Sequence, residues 1–123
     1  MKAREYYATV QAAILAAPHV VQSDISFDEV SEDECYIRGT LTLIGGIELH
    51  LAEYVITGPE IKRLKYRYHL QTAGGKFLAR WDNTPHHPEV KSRPNHLHIK
   101  KVVKVSAAMD VESVLVAVID FME

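Results

Sequence analysis

The sequence contains a single cysteine, Cys35. No disulfide can form within the chain, which fits a reducing cytoplasm. It also lacks any apolar run near the ~18 residues that a membrane-spanning helix requires, so no membrane partner is expected. A clean secretory core is missing at the start. Ala16-Ala17-Pro18 imitates a cleavage site, but Thr9 and Gln11 interrupt the apolar residues before it, and a signal peptide is rejected. Repeats and low-complexity segments are absent. What remains is 123 residues with 47% apolar and 24% charged content, the make-up of one globular domain spanning 1–123. Such a domain buries about two-thirds of its unfolded surface, enough for a core without staples.

Acid is scarce in one half. Residues 62 to 104 hold eleven Lys and Arg against only Asp82 and Glu89, a net of +9, while the rest of the chain carries −11. The total of −2 hides this asymmetry. Solvated faces can produce such a split by accident. A basic half that also carries most of the imidazoles is better explained by an anionic ligand, with nucleic acid the first candidate. Five of the seven histidines, His69, His86, His87, His96 and His98, fall between Lys65 and His98. Leucine or valine fills a core better, and a surface needs no imidazole. Histidine suits proton transfer near neutral pH, metal ligation and anion contacts. Any one of these residues alone reads as loop surface. Five of them, interleaved with Arg67, Arg80, Asp82 and Asn83, read as a site.

Periodicity places this stretch in an α+β fold. Tyr6, Tyr7, Val10, Ala13, Ile14 and Ala17 recur at helical spacing, which predicts a helix over 3–17 ended by Pro18. Ile25 and Phe27 alternate with polar residues in a first strand, and acidic residues 28–34 form a turn. Cys35, Ile37, Gly39, Leu41 and Leu43 then share one face of a second strand. Gly45-Gly46 turns the chain into a third, 47–56, whose apolar face contains Glu53, either at the sheet edge or paired. Residues 60–71 follow, with Leu64, Tyr66, Tyr68 and Leu70 on one face and Arg63, Lys65, Arg67, His69 and Gln71 on the other. After a turn at 72–75, residues 76–81 put Phe77, Ala79 and Trp81 opposite Leu78, Arg80 and Asp82. Pro85, Pro88 and Pro94 make 83–94 a stiff loop, and His96 opens a strand through about Val105. Asp110 caps a last helix, 111–122, that is apolar almost all round. The expected architecture is an antiparallel sheet of five or six strands with an N-terminal and a C-terminal helix.

Lys65-Tyr66-Arg67-Tyr68-His69, Arg80-Trp81-Asp82-Asn83-Thr84-Pro85-His86-His87-Pro88 and Pro94-Asn95-His96-Leu97-His98 together resemble the TumE-type family of prokaryotic toxin–antitoxin proteins. Order and spacing agree with a Tyr-Arg-Tyr-His strand, an Arg-Tyr-Asp-Asn-Ala-Pro-His-His segment and a Pro-His-His-x-His segment, and the resemblance covers most of the chain. Trp81 stands in place of tyrosine, Thr84 in place of a smaller residue, and Asn95 in place of the first histidine of the last segment. The resemblance implies a cytoplasmic toxin acting on RNA and held inactive by a cognate antitoxin.

RNA cleavage without metal needs a base for the 2′-hydroxyl proton, an acid for the leaving oxygen and cations on the phosphate. His69 with His86 or His87 suits the proton steps, each contributing about 10²–10⁴-fold, and Asp82 and Asn83 would orient a histidine. Arg67 and Arg80, helped by Lys65, Asn83 and Arg93, would hold the substrate. No cofactor is needed in this favoured reading. The alternative is a zinc- or manganese-dependent nuclease or hydrolase in which His96 and His98 bind the ion, with His86, His87 or Asp82 as a third ligand. A non-enzymatic nucleic-acid-binding module would use the +9 segment and leave the histidines idle. The apolar 111–122 helix and the acidic 24–34 region suggest a contact surface, for a homodimer or for the antitoxin.

Overall fold

The computed structural model describes residues 1–85 and 87–122. Among these residues, seven antiparallel strands follow one another in chain order across a single sheet: β1 (Val20–Ser31), β2 (Glu34–Leu43), β3 (Glu48–Ile56), β4 (Lys62–Gln71), β5 (Phe77–Asp82), β6 (His96–Ile99) and β7 (Val102–Val105). Helix α1 (Ala3–Ala16) precedes the sheet, and α2 (Val111–Ala117) follows it, continuing as a tighter 3₁₀ turn over Val118–Phe121. Among the described residues no helix is long and apolar enough to cross a membrane.

Both helices join the sheet in one apolar core. Ala3, Tyr6, Val10 and Ile14 of α1 and Val111, Val114 and Leu115 of α2 are buried with Cys35, Ile37, Leu41, Leu49, Leu51, Val55, Tyr68, Leu70 and Trp81. Each such Leu, Ile or Val contributes about 1.5–3 kcal/mol by leaving water. Asp110 caps α2 as expected: its carboxylate accepts the Ser113 N–H at 2.7 Å, and its own N–H donates to Ser113 Oγ at 2.9 Å. Such a cap stabilises by about 1 kcal/mol. The helix is only partly enclosed, since Val116 and Ile119 remain 66% and 52% exposed.

The seventh strand corrects the expected five or six. A tight turn at Lys100-Lys101 splits the segment from His96 to Val105 into the β6–β7 hairpin, with Lys100 at φ 55°. No glycine, proline or asparagine signals this turn, and a β-carbon is unfavourable in that left-handed region. The first strand is longer than expected, and the acidic turn shrinks to Glu32-Asp33. Close approach of β1 to β2 depends on Gly39, where a Cβ would stand 2.3 Å from the Asp24 carbonyl oxygen.

Two register shifts overturn parts of the alternation. Between β3 and β4, Tyr54 pairs with Lys65 and Val55 with Arg63, so Leu64 is the extra residue. Leu64 is exposed, and Arg63 turns toward the helices, donating from Nε to Tyr6 Oη at 3.0 Å and lying 3.6 Å from Asp110. Between β4 and β5, Leu70 pairs with Ala79 and Gln71 with Phe77, so Leu78 is extra. Leu78 packs on the core, and the Phe77 ring lies 5.5 Å from that of His69. A bulge adds one residue and reverses which side chains face the core beyond it.

Glu53 is paired, with tyrosines. It is fully buried and accepts from Tyr6 Oη and, at 2.5 Å, from Tyr68 Oη. Burial raises its pKa, and the same environment pushes both phenols above their ordinary range. This triad lies on the helix-covered face and ties α1 to β3 and β4.

Candidate active site on the open face

The face turned away from the helices carries the polar half of each strand. Register aligns Thr40, His50, His69, Arg80 and His98 in one row across β2 to β6, and Arg38, Ala52, Arg67, Asp82 and His96 in the next. Directly paired residues in neighbouring antiparallel strands sit about 4.5–5.5 Å apart between Cα atoms. Arg67, His69, Arg80, Asp82, His96 and His98 therefore share one surface, as the sequence alternation requires.

His69 is bound on both nitrogens. Arg80 donates to its Nδ1 from Nη2 at 3.2 Å and from Nε at 3.3 Å, and its Nε2 lies 3.2 Å from Gln71 Oε1. A guanidinium can only donate, so Nδ1 holds the lone pair and Nε2 the proton. Burial, and then the nearby Arg80 charge, lower the pKa of His69 below 6.5. The ring is a neutral base whose lone pair is covered by a movable cation. His50 stands beside it, with ring centres 6.2 Å apart and contacts to Thr40 Oγ1 and Glu48 Oε1.

Asp82, at the end of β5, anchors a second group. It is 4% exposed, and its Oδ1 lies 2.8 Å from His96 Nε2 and accepts the Thr84 N–H at 3.0 Å. Its Oδ2 is 3.6 Å from His98 Nε2. His96, 2% exposed, directs Nδ1 to the Pro94 carbonyl oxygen at 2.8 Å. The His87 ring closes the group, 5.0 Å from His96 and 5.2 Å from His98 between centres, with its Nδ1 3.0 Å from Glu89 Oε1. Burial lowers the pKa of His98, opposed by Asp82 and reinforced by the other two rings. The loop that supplies His87 is folded on itself through Val90 N–H to His87 O, Arg93 N–H to Val90 O and Ser92 Oγ to Asn95 O, with Val90 buried.

The other expected site residues have different placements. Asn83 accepts the Tyr66 N–H at 2.9 Å and donates to the Leu64 carbonyl at 3.2 Å, so its amide braces the bulged part of β4. Arg93 donates to the Pro88 carbonyl at 2.6 Å and braces the loop. Lys65 is exposed opposite Tyr54. Asn95 accepts from Tyr66 Oη at 2.8 Å, which gives this departure from the family pattern a packing role. His86 lies outside the described residues. Tyr66, Tyr68 and Trp81 are buried and present no ring for stacking on a base. His50 was not among the expected site residues, although its place between Leu49 and Leu51 already puts it on the polar face. Beside it, a shallow groove of about 480 Å³ runs over Arg38, Thr40, His50, Ala52 and Arg67.

This surface offers a neutral base, an exposed guanidinium at Arg67, a half-buried one at Arg80 and a carboxylate-anchored group of imidazoles. Comparison with curated proteins and with solved structures finds no match. A family model described as "Toxin TumE" matches residues 10–123. The chain therefore belongs to the TumE toxin family.

Proposed function

We propose that this toxin cleaves RNA at the open face of its sheet. The observation that carries this reading is the shared row and neighbouring row of Arg67, His69, Arg80, Asp82, His96 and His98 on one surface. Arg67 and Arg80 receive the phosphate, since a guanidinium presents several fixed donors to its oxygens. As Arg80 turns to the phosphate, it uncovers Nδ1 of His69. That nitrogen takes the proton of the 2′-hydroxyl, the 2′ oxygen bonds to phosphorus, and the bond from phosphorus to the 5′ oxygen breaks. The leaving oxygen takes a proton from water on the Asp82–His96–His98–His87 side of Arg80, and the proton on His69 returns to the hydroxide left behind. The products are a 2′,3′-cyclic phosphate and a 5′-hydroxyl. Membership of a toxin family implies an antitoxin partner that restrains this activity.

The test is cleavage of end-labelled RNA by the purified chain, with binding followed separately by fluorescence anisotropy. His69→Gln keeps hydrogen bonding but cannot titrate. It should slow cleavage about 10²–10⁴-fold while affinity changes little. Full activity in this variant removes His69 as the base. RNA bound but never cut, by wild type and variant alike, makes the protein a binding module.

A further inference from the structure

We infer that His87, His96 and His98, beside the carboxylate of Asp82, form a binding site for one divalent transition-metal ion of the zinc class. One donor atom of each ring lies within 4.8 Å of those of the other two. The ring centres form a triangle with sides of 4.7, 5.0 and 5.2 Å. With metal–nitrogen bonds of about 2.0–2.1 Å and ring centres about 1.2 Å farther out, two imidazoles on one tetrahedral ion stand about 5.2 Å apart, and about 4.5 Å apart at right angles. The observed triangle falls between these values.

The outer contacts assign the donor atoms. The Nδ1 of His96 is held by the Pro94 carbonyl oxygen and that of His87 by Glu89. Both partners are acceptors, so each Nδ1 is the protonated nitrogen and each Nε2 is left with a lone pair. A carbonyl or carboxylate on the far nitrogen is the usual way a ligating imidazole is oriented. The Nε2 of His96 then faces Asp82 Oδ1 at 2.8 Å, and the Nε2 of His98 faces Oδ2 at 3.6 Å. A lone pair facing a carboxylate is repulsive unless a cation lies between them. Adjacent donors on one ion are separated by about 2.9–3.4 Å at these bond lengths, close to both distances. The competing arrangement gives His96 a second proton and makes the pair a buried salt bridge, but that leaves the convergence of His87 and His98 unexplained.

Three imidazole nitrogens, two of them beside a carboxylate, suit zinc, and also cobalt, nickel, manganese or ferrous iron. The metal site read from the sequence paired His96 and His98 with His86, His87 or Asp82 as a third ligand; among the described residues, His87 stands with them. Ion binding stands on this geometry alone. Its part in catalysis rests on the RNA reading above: the ion would lie across Arg80 from His69, next to the leaving oxygen.

The experiment uses the full chain without a histidine tag, stripped with a chelator. Cobalt(II) is titrated while visible absorption is recorded, and zinc binding is measured by calorimetry. One equivalent should bind, with the intense visible bands of a four- or five-coordinate nitrogen–oxygen site. His87→Ala and His98→Ala, at partly exposed positions, should weaken zinc binding about 10–100-fold or more, and His50→Gln should leave it unchanged. Circular dichroism checks that the variants fold. Zinc held no more tightly by wild type than by a His87→Ala/His98→Ala double variant overturns the proposal. Cleavage is scored separately. A chain that binds one ion as described but leaves RNA intact upholds the metal site and defeats the RNA reading.

Discussion

Replacing Arg80 with alanine should have two separable effects, because its guanidinium faces both a base and the position assigned to the phosphate. Its Nη2 and Nε lie 3.2 and 3.3 Å from His69 Nδ1. A hydrogen bond to a charged group is worth about 1.5–3 kcal/mol, and about 1.4 kcal/mol corresponds to a factor of ten in rate. Arg80→Ala should therefore lower kcat/KM about ten- to 150-fold through the lost phosphate contact. The second effect is on pH dependence. Burial first and the Arg80 charge second hold the His69 pKa below 6.5, so the neutral base is depleted only as pH falls below that value. The acidic limb of kcat/KM, which reports the free enzyme, should lie on the acid side of 6.5. Removing the arginine relieves the second cause, so the limb should move up toward 6.5. Arg80→Lys should recover part of the affinity, since a point charge remains, but not the two-nitrogen contact. The assay is cleavage of a fluorogenic RNA from about pH 5 to 8, with thermal melts to confirm folding. A uniform loss at every pH with an unmoved limb refutes the coupling between Arg80 and His69. An unchanged rate refutes both roles.

Two further outcomes follow from the same contacts. RNA affinity should fall with added salt, and Arg67→Ala should reduce the log–log slope by about 0.7, the value for one phosphate contact on a single strand; salt-insensitive binding, measured by anisotropy, would exclude a phosphate-directed face. The raised pKa of buried Glu53 means that the folded state holds this proton more tightly than the unfolded state. Its contribution to stability is therefore greatest in acid and is lost as pH climbs from 4.5 through the folded value. Glu53→Gln should flatten that part of the stability profile in urea melts at several pH values, and an unaltered slope would show that Glu53 is not the group responsible.

Strand alternation is a local property, and it carried much of the fold and of the candidate site. Two-residue spacing placed Arg67 with His69, Arg80 with Asp82, and His96 with His98 before any strand was paired. It also contained His50, which lies outside the histidine-dense stretch. Asp110 at the start of an apolar run was enough to locate the cap of α2. Pairing register is not local, and there the tertiary structure decided. The bulges at Leu64 and Leu78 exist because neighbouring strands differ by one residue in what they must match, and no single strand's pattern records its neighbour's count. Arg63 thereby left the basic face for Tyr6 and Asp110. The turn at Lys100-Lys101 formed despite its residue types, because Leu97 and Ile99 continue the sheet beside Trp81 and Ala79. Asp82 meets His96 only through the β5–β6 register, and His87 reaches both His96 and His98 only when the loop folds back over them. Sequence chemistry determined which side chains could form a site, while strand register and loop closure determined which of them touch.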